Sequence, residues 1–197
     1  MKSLYNINRY FDDVKKSIEF IEKKKIDKLI IEIAKIKKKG GRIFFLGVGG
    51  SAGNASHAVN DFRKICNIEC YTPVDNVSEL TARTNDEGFE TIFSNYLINS
   101  KLSKNDAIFI LSVGGGNIKF NVSLSLIEAI KLAKKKKSKV FSIVGRNDGY
   151  AYKHSNISIF TKTDNKKLVT PISEGLQGVI WHCLVSDDRL QVNNTKW

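Results

Sequence analysis

The sequence predicts an α/β fold: one domain with a central, mostly parallel sheet, helices on both faces, and two helices at the N-terminus. Three observations predict it. Continuous apolar runs of strand length recur as "RIFFLGV" (42–48), "DAIFILSV" (106–113) and "KVFSIVG" (139–145), and such runs are expected of strands covered on both faces. Segments of helical periodicity separate them, the alternation that builds a parallel sheet. Two of the runs end in glycine clusters, "GVGGS" (47–51) and "SVGGGN" (112–117), where open parallel sheets bind ligands.

The elements follow in order. Residues 4–24 and 26–38 read as amphipathic helices; in the second, Leu29, Ile30, Ile33 and Ile36 form one stripe, and Gly40-Gly41 supplies a C-terminal stop. After the first strand, a helix is expected from about Ser51 to Cys66, and "IECYTPV" is a further candidate strand. The stretch 75–102 reads as a short helix, a polar loop over Thr84–Gly88 and a longer helix. The strand at 106–113 leads to a helix around 121–137, followed by strands at 139–145 and 156–160. A last helix covers about 171–186, with Thr170 as N-cap and Pro171 in the first turn. No repeat, linker or second domain is evident, so residues 1–197 form one unit: helices over 1–40 and an α/β core over 41–197.

Composition narrows the function classes. Apolar and charged fractions of 42% and 26% are those of an ordinary globular protein. No apolar run approaches the ~18 residues of a membrane span, and the first residues carry no signal-peptide core, so no membrane partner is expected. Cys66, Cys70 and Cys183 are odd in number and lack metal spacing, which fits a cytoplasmic location. The net charge of +12 invites a nucleic-acid reading. It comes from 26 Lys against 6 Arg, clustered at helix ends as in "KIKKKGG" and "AKKKKSK". There the charge complements the helix dipole, and no aromatics interleave to stack bases. No nucleic-acid partner is expected.

Neither glycine loop is a P-loop or a dinucleotide fingerprint. Each follows a buried strand and precedes a helix, so backbone N–H groups are free to meet an anion. Two such loops in one sheet favour a phosphorylated ligand. Beside them stand four side chains suited to chemistry. His57 and Asp61 are four residues apart on the helix after the first loop, hence on one face. Glu174 and His182 share one side of the last helix. Imidazoles and carboxylates together suit zinc or acid–base work, although apolar "WHCLV" also fits a core histidine at 182. Eight residues of helix rise ~12 Å. Glu174 and His182 therefore share one metal only if Glu174 lies in an irregular first turn or comes from a neighbouring subunit.

The order of "GVGGSAGNASH", "TNDEGFETIFSNYL", "SVGGGN", "SIVGRNDG" and a last helix bearing His182 resembles the sugar isomerase (SIS) domain proteins, and among them the phosphoheptose isomerases. The likeness spans nearly the whole chain. It implies isomerisation of sedoheptulose 7-phosphate to a D-glycero-heptose 7-phosphate through an enediolate, in nucleotide-heptose and surface-polysaccharide synthesis. It further implies a homotetramer, or a homodimer, with active sites at subunit interfaces. It places substrate against Val48, Gly49, Gly50 and Ser51, Asn85 and Asp86, Ser112, Val113, Gly114, Gly115 and Asn117, and Glu174. It assigns catalysis to Asp61 and His182, and one zinc ion per site to His57, Asp61, Glu174 and His182.

Three departures from that family stand out. Its phosphate loop reads Ser-Thr-Ser-Gly-Asn-Ser, whereas "SVGGGN" keeps only the Ser112 hydroxyl, so phosphate would rest on backbone N–H groups. Its catalytic glutamate is the shorter Asp61, and its glutamine is Glu174, whose charge favours a divalent metal. A catalytically silent member that binds a sugar phosphate or a partner protein is the alternative: loss of the loop hydroxyls favours it, and retention of the four ligand-type side chains opposes it.

Overall fold

The computed structural model describes residues 2–194, with side chains from Asn6 onward; residues 1 and 195–197, the ends of the expected domain, lie outside the described residues. Five strands, β1 (Ile43–Leu46), β2 (Cys70–Tyr71), β3 (Ala107–Ser112), β4 (Lys139–Val144) and β5 (Ile157–Phe160), form one sheet in the order β2-β1-β3-β4-β5, every pair parallel. Alternate side chains serve opposite faces. Ile43, Phe45, Phe109, Leu111, Phe141 and Ile143 enter one core cluster, while Phe44, Leu46, Ile108, Ile110, Val140 and Val144 enter the other. Both faces being dry explains why these strands read as unbroken apolar runs.

On the first face lie α2 (Lys23–Lys38), α3 (Gly50–Lys64) and α8 (Val169–Val185); on the second lie α5 (Ile92–Asn99), α6 (Leu124–Lys135) and the short α7 (Tyr150–His154). The first helix, α1 (Lys2–Glu19), packs on α8, and α4 (Val77–Glu87) contributes no fully buried residue. The expected stripe Leu29, Ile30, Ile33 and Ile36 is the buried one of α2. That helix ends as its glycines require: Gly40, at φ 64°, donates to the Lys37 carbonyl and Gly41 to that of Ile36, the paired bonds of a Schellman cap.

Several boundaries differ from expectation, and α5 (8 residues) is shorter than α4 (11 residues), the reverse of the expected order. The first helix stops at Glu19. Residues 84–87, read as a polar loop, are the last turn of α4, and only Gly88 (φ 85°) leaves it. There Arg83 bridges Glu79 and Glu87 at i±4, so polarity reflects a solvated helix rather than a loop. The last helix starts at Val169 without a side-chain cap, leaving Thr170 inside its first turn. A hairpin delays α6 to Leu124, and α7 was not anticipated because five residues carry no usable periodicity.

Asp106 fastens the amino end of the sheet, away from the ligand-binding end. Its carboxylate accepts from Arg42 N–H at 2.9 Å, from Arg42 Nε at 3.2 Å and Nη2 at 2.9 Å, and from Ser103 N–H at 2.8 Å and Oγ at 2.9 Å. Burial opposes the charge on Asp106, but the bonds from Arg42 and Ser103 outweigh it and hold the carboxyl below its ordinary value. A depressed carboxyl stabilises the fold at neutral pH, and that contribution disappears as pH falls through the folded-state value. Asp106→Asn is expected to cost about 2–3 kcal/mol at neutral pH. Urea titrations should show the deficit shrinking as pH falls below the ordinary carboxyl range; an equal deficit at neutral and acid pH would assign it to packing instead.

Candidate active site

The sheet order places a switch point between β1 and β3, whose following loops run to opposite faces. Ligands bind open parallel sheets in that crevice, and both glycine loops lie there. Gly47 is fixed by space: a Cβ would stand 2.3 Å from the Ser51 carbonyl oxygen. Gly49 enters α3 at φ 64°. Val48, Gly49 and Gly50 are exposed in the crevice, while Ser51 is buried.

About two and three turns into α3, His57 and Asp61 project toward α8. Asp61 is 7% exposed, and its Oδ2 lies 3.8 Å from His57 Nε2 and 3.7 Å from His182 Nε2. Its Oδ1 accepts from Asn60 Nδ2 at 2.8 Å. His182 Nδ1 sits 2.8 Å from the Gly178 carbonyl oxygen. A carbonyl only accepts, so Nδ1 carries the proton and Nε2 turns its lone pair toward Asp61. Asp61 Oδ2 and the two Nε2 atoms thus converge at distances too long for hydrogen bonds. Tetrahedral zinc, with ligands at 2.0–2.1 Å, needs its donors about 3.3 Å apart. The His57–Asp61–His182 group, with ligand atoms all within 4.8 Å of one another, therefore fits a small divalent cation with a modest inward shift. The Nδ1 bond of His182 is the outer contact that orients a ligating imidazole.

Glu174 stands outside that group. Its carboxylate lies over Gly50, where a Cβ would be 2.6 Å from Oε2; the first turn of α3, rich in free N–H groups, is a favourable seat for it. Within one protomer the structure brings together three of the four expected metal ligands. Asn85 and Asp86 are exposed at the end of α4, where Asn85 Nδ2 donates to Asp86 Oδ1 at 2.7 Å; among the described residues, no hydrogen bond ties them to the crevice.

The second loop is less open than its glycines suggest. Ser112 Oγ accepts from Gly115 N–H at 3.0 Å, so its hydroxyl closes the turn. Gly115 and Gly116 adopt φ 70° and 84°, and their carbonyls accept from Ala151 and Tyr150 at 2.8 and 2.9 Å. Among the described residues, the N–H groups of Gly114 and Gly116 have no partner in the chain. Asn117 pairs with Val122 to close a short hairpin.

Sequence reasoning missed the groups that set the spacing of α3 and α8. Asn54 Nδ2 lies 3.0 Å from the Glu174 carbonyl and 3.0 Å from Oε1 of the fully buried Gln177. Trp181 packs against both imidazoles, with centroids 4.6 Å from His57 and 3.5 Å from His182. The available signal was position: Asn54 falls one turn before His57, and Gln177 interrupts the apolar stripe of α8.

Known proteins resemble this chain in sequence and in fold. A family model described as the SIS domain matches residues 9–145. The chain is 33% identical over 133 residues to the phosphoheptose isomerase of Buchnera aphidicola subsp. Schizaphis graminum, covering 66% of this chain and 64% of that protein. With the phosphoheptose isomerase of Buchnera aphidicola subsp. Acyrthosiphon pisum it shares 33% over 161 residues, covering 80% and 77%. With the lincomycin biosynthesis protein LmbN of Streptomyces lincolnensis it shares 28% over 151 residues, covering 74% and 54%. The chain thus spans less than two thirds of the first and third of these relatives. The solved structure of phosphoheptose isomerase GmhA from Neisseria gonorrhoeae superposes with a TM-score of 0.79 at 20% identity, over 92% of this chain and 97% of that one, a likeness of fold. The chain belongs to the SIS domain family, and within it to the phosphoheptose isomerase type.

Proposed function

We propose that the protein interconverts a ketose phosphate and an aldose phosphate, with sedoheptulose 7-phosphate and a D-glycero-heptose 7-phosphate as the pair, in nucleotide-heptose and surface-polysaccharide synthesis. The observation that carries this is the approach of Asp61 Oδ2 to two imidazole Nε2 atoms at 3.7 and 3.8 Å beside the crevice. Isomerisation needs a base for the proton on the carbon next to the carbonyl, and an acid for the oxygen that becomes an enediolate. Asp61 takes the carbon-bound proton and returns it to the neighbouring carbon; His182 Nε2 takes the hydroxyl proton from the oxygen that becomes the new carbonyl and delivers it to the former carbonyl oxygen. The phosphate rests on the glycine loops and orients the reacting end.

Zinc held by His57, Asp61 and His182 would supply Lewis acidity toward the substrate oxygen. Metal ligation and proton transfer use the same lone pairs on Asp61 and His182, so the zinc dependence of the rate tells which set operates. Incubation with sedoheptulose 7-phosphate, with and without zinc, while aldose formation is followed, tests the whole reading. Absence of aldose under both conditions leaves the catalytically silent sugar-phosphate binder in its place.

A homotetramer with interface active sites is part of the proposal. Support comes from α1, which leaves Ile7, Phe11 and Ile18 exposed at 50%, 58% and 43%, and from a groove lined by Ile18, Ile21, Ile26, Ile30 and Val179. A cytoplasmic location is also proposed. It rests on the three free cysteines, and among the described residues no helix is long and apolar enough to cross a membrane.

The loop makes its own prediction. Gly115→Val forces a β-branched residue to φ 70° against Val144 and Ala151, whose atoms lie 3.4–3.6 Å from a Cβ. It is expected to raise KM for the sugar phosphate more than Ser112→Ala, which removes one acceptor from the same turn, about 1 kcal/mol. Steady-state kinetics giving the reverse order would mean that the Ser112 hydroxyl, rather than backbone, holds the phosphate.

A further inference from the structure

We propose that Arg146 is the cationic anchor of the substrate phosphate, replacing hydroxyls that the glycine loop lacks. The inference rests on the isomerase reading above and adds to it a residue outside the loop. A sugar phosphate brings between about 1.5 and 2 negative charges at neutral pH. The loop residues Ser112–Asn117 carry no positive charge. A cavity of about 340 Å³ adjoins them, floored by Gly114, Gly116 and Gly149 and walled by Phe120, Val122 and Arg146. Among the described residues, Arg146 is the one cation lining it, and Asp148, its ion-pair partner, lines it too.

The loop after β4 that carries Arg146 is locked to the glycine loop. Gly149 packs so closely that a Cβ would stand 2.0 Å from the Gly114 carbonyl oxygen, and Tyr150 and Ala151 donate to Gly116 and Gly115. A peptide's C=O and N–H point in opposite directions. The Gly115 carbonyl, bound to Ala151, therefore turns the Gly116 N–H away from α7.

Arg146 is half-used and oriented. Its Nε and Nη2 donate to Asp148 Oδ1 at 2.9 Å and Oδ2 at 2.7 Å. A guanidinium has five N–H donors in a planar fork, so the Nη1–Nη2 edge remains for two bonds to phosphate oxygens. The hairpin Asn117–Val122, closed by bonds of 2.9 and 3.0 Å, sets Phe120 and Val122 as the apolar wall.

Kinetics on the full chain, with Arg146→Met and Arg146→Lys, test the assignment. Arg146→Met is expected to raise KM for sedoheptulose 7-phosphate and the inhibition constant of inorganic phosphate together, by about tenfold or more, with kcat within about threefold. Arg146→Lys should recover part of the loss, since the charge survives without the fork. Both constants within about twofold of wild type in Arg146→Met overturn the inference and leave the isomerase reading standing. Wild type that makes no aldose, yet binds inorganic phosphate in calorimetry and loses it in Arg146→Met, overturns the isomerase reading and upholds the anchor. Wild type that neither turns over nor binds phosphate overturns both.

Discussion

Asp61→Asn is expected to reduce sugar-phosphate turnover by about a thousandfold or more while leaving the fold as stable as before, or slightly more so. The carboxylate is buried, its Oδ1 is bonded to Asn60, and Oδ2 faces His57 and His182 without a donor between them. An asparagine fits the same volume, and its N–H₂ in place of Oδ2 would donate to an imidazole lone pair that now faces another acceptor. What it cannot do is accept the proton from substrate carbon. Activity falling without a fall in melting temperature would therefore separate chemistry from packing. Asp61→Glu, which restores the longer side chain of the wider family, should retain measurable turnover because the carboxylate is kept. Asp61→Asn turning over within about tenfold of wild type would exclude Asp61 as the base and send attention to another carboxylate.

Much of the fold was legible because both sheet faces are dry. A strand such as "AIFILS" reads as a strand wherever it lies, and glycine marks its exit. Boundaries were legible where local chemistry acts alone, as at Gly40-Gly41, and illegible where it does not. Residues 84–87 look like a loop in one dimension, whereas in the fold they are the last turn of α4, which the Arg83 bridges to Glu79 and Glu87 support. The site shows the same division. His57 and Asp61 follow from helical spacing, whereas the approach of His182 depends on how α3 packs against α8. Asn54, half-buried, and Gln177, fully buried, join those helices, and their only sequence signature is a polar residue on a helix face that packs. Glu174 is the instructive disagreement. The ~12 Å rise between it and His182 was visible from spacing, and the structure seats its carboxylate over Gly50 instead of beside Asp61.

That seat turns the metal question into a measurable one. Protein purified without chelator and equilibrated with zinc is expected to hold about one ion per chain by elemental analysis. His57→Ala should weaken zinc binding by about a hundredfold or more, since it removes one of three converging donors. The imidazole of His57 is 57% exposed and packs edge-on to Trp181, so its loss should disturb the ligand set far more than the core. Glu174→Gln is the informative companion. If the site is completed within one protomer by His57, Asp61 and His182, zinc affinity should stay within about threefold of wild type, because the Glu174 carboxylate lies over Gly50 and outside that group. A loss matching that of His57→Ala would mean that the carboxylate leaves Gly50, or reaches the site from a neighbouring subunit, to become the fourth ligand. Calorimetry at a fixed pH distinguishes these outcomes without reference to turnover, because ligand loss lowers the binding constant whether or not the bound ion takes part in catalysis. Wild type that takes up no zinc in the same experiment would leave the three residues as a metal-free acid–base set, with His57 reduced to a neighbour of Asp61.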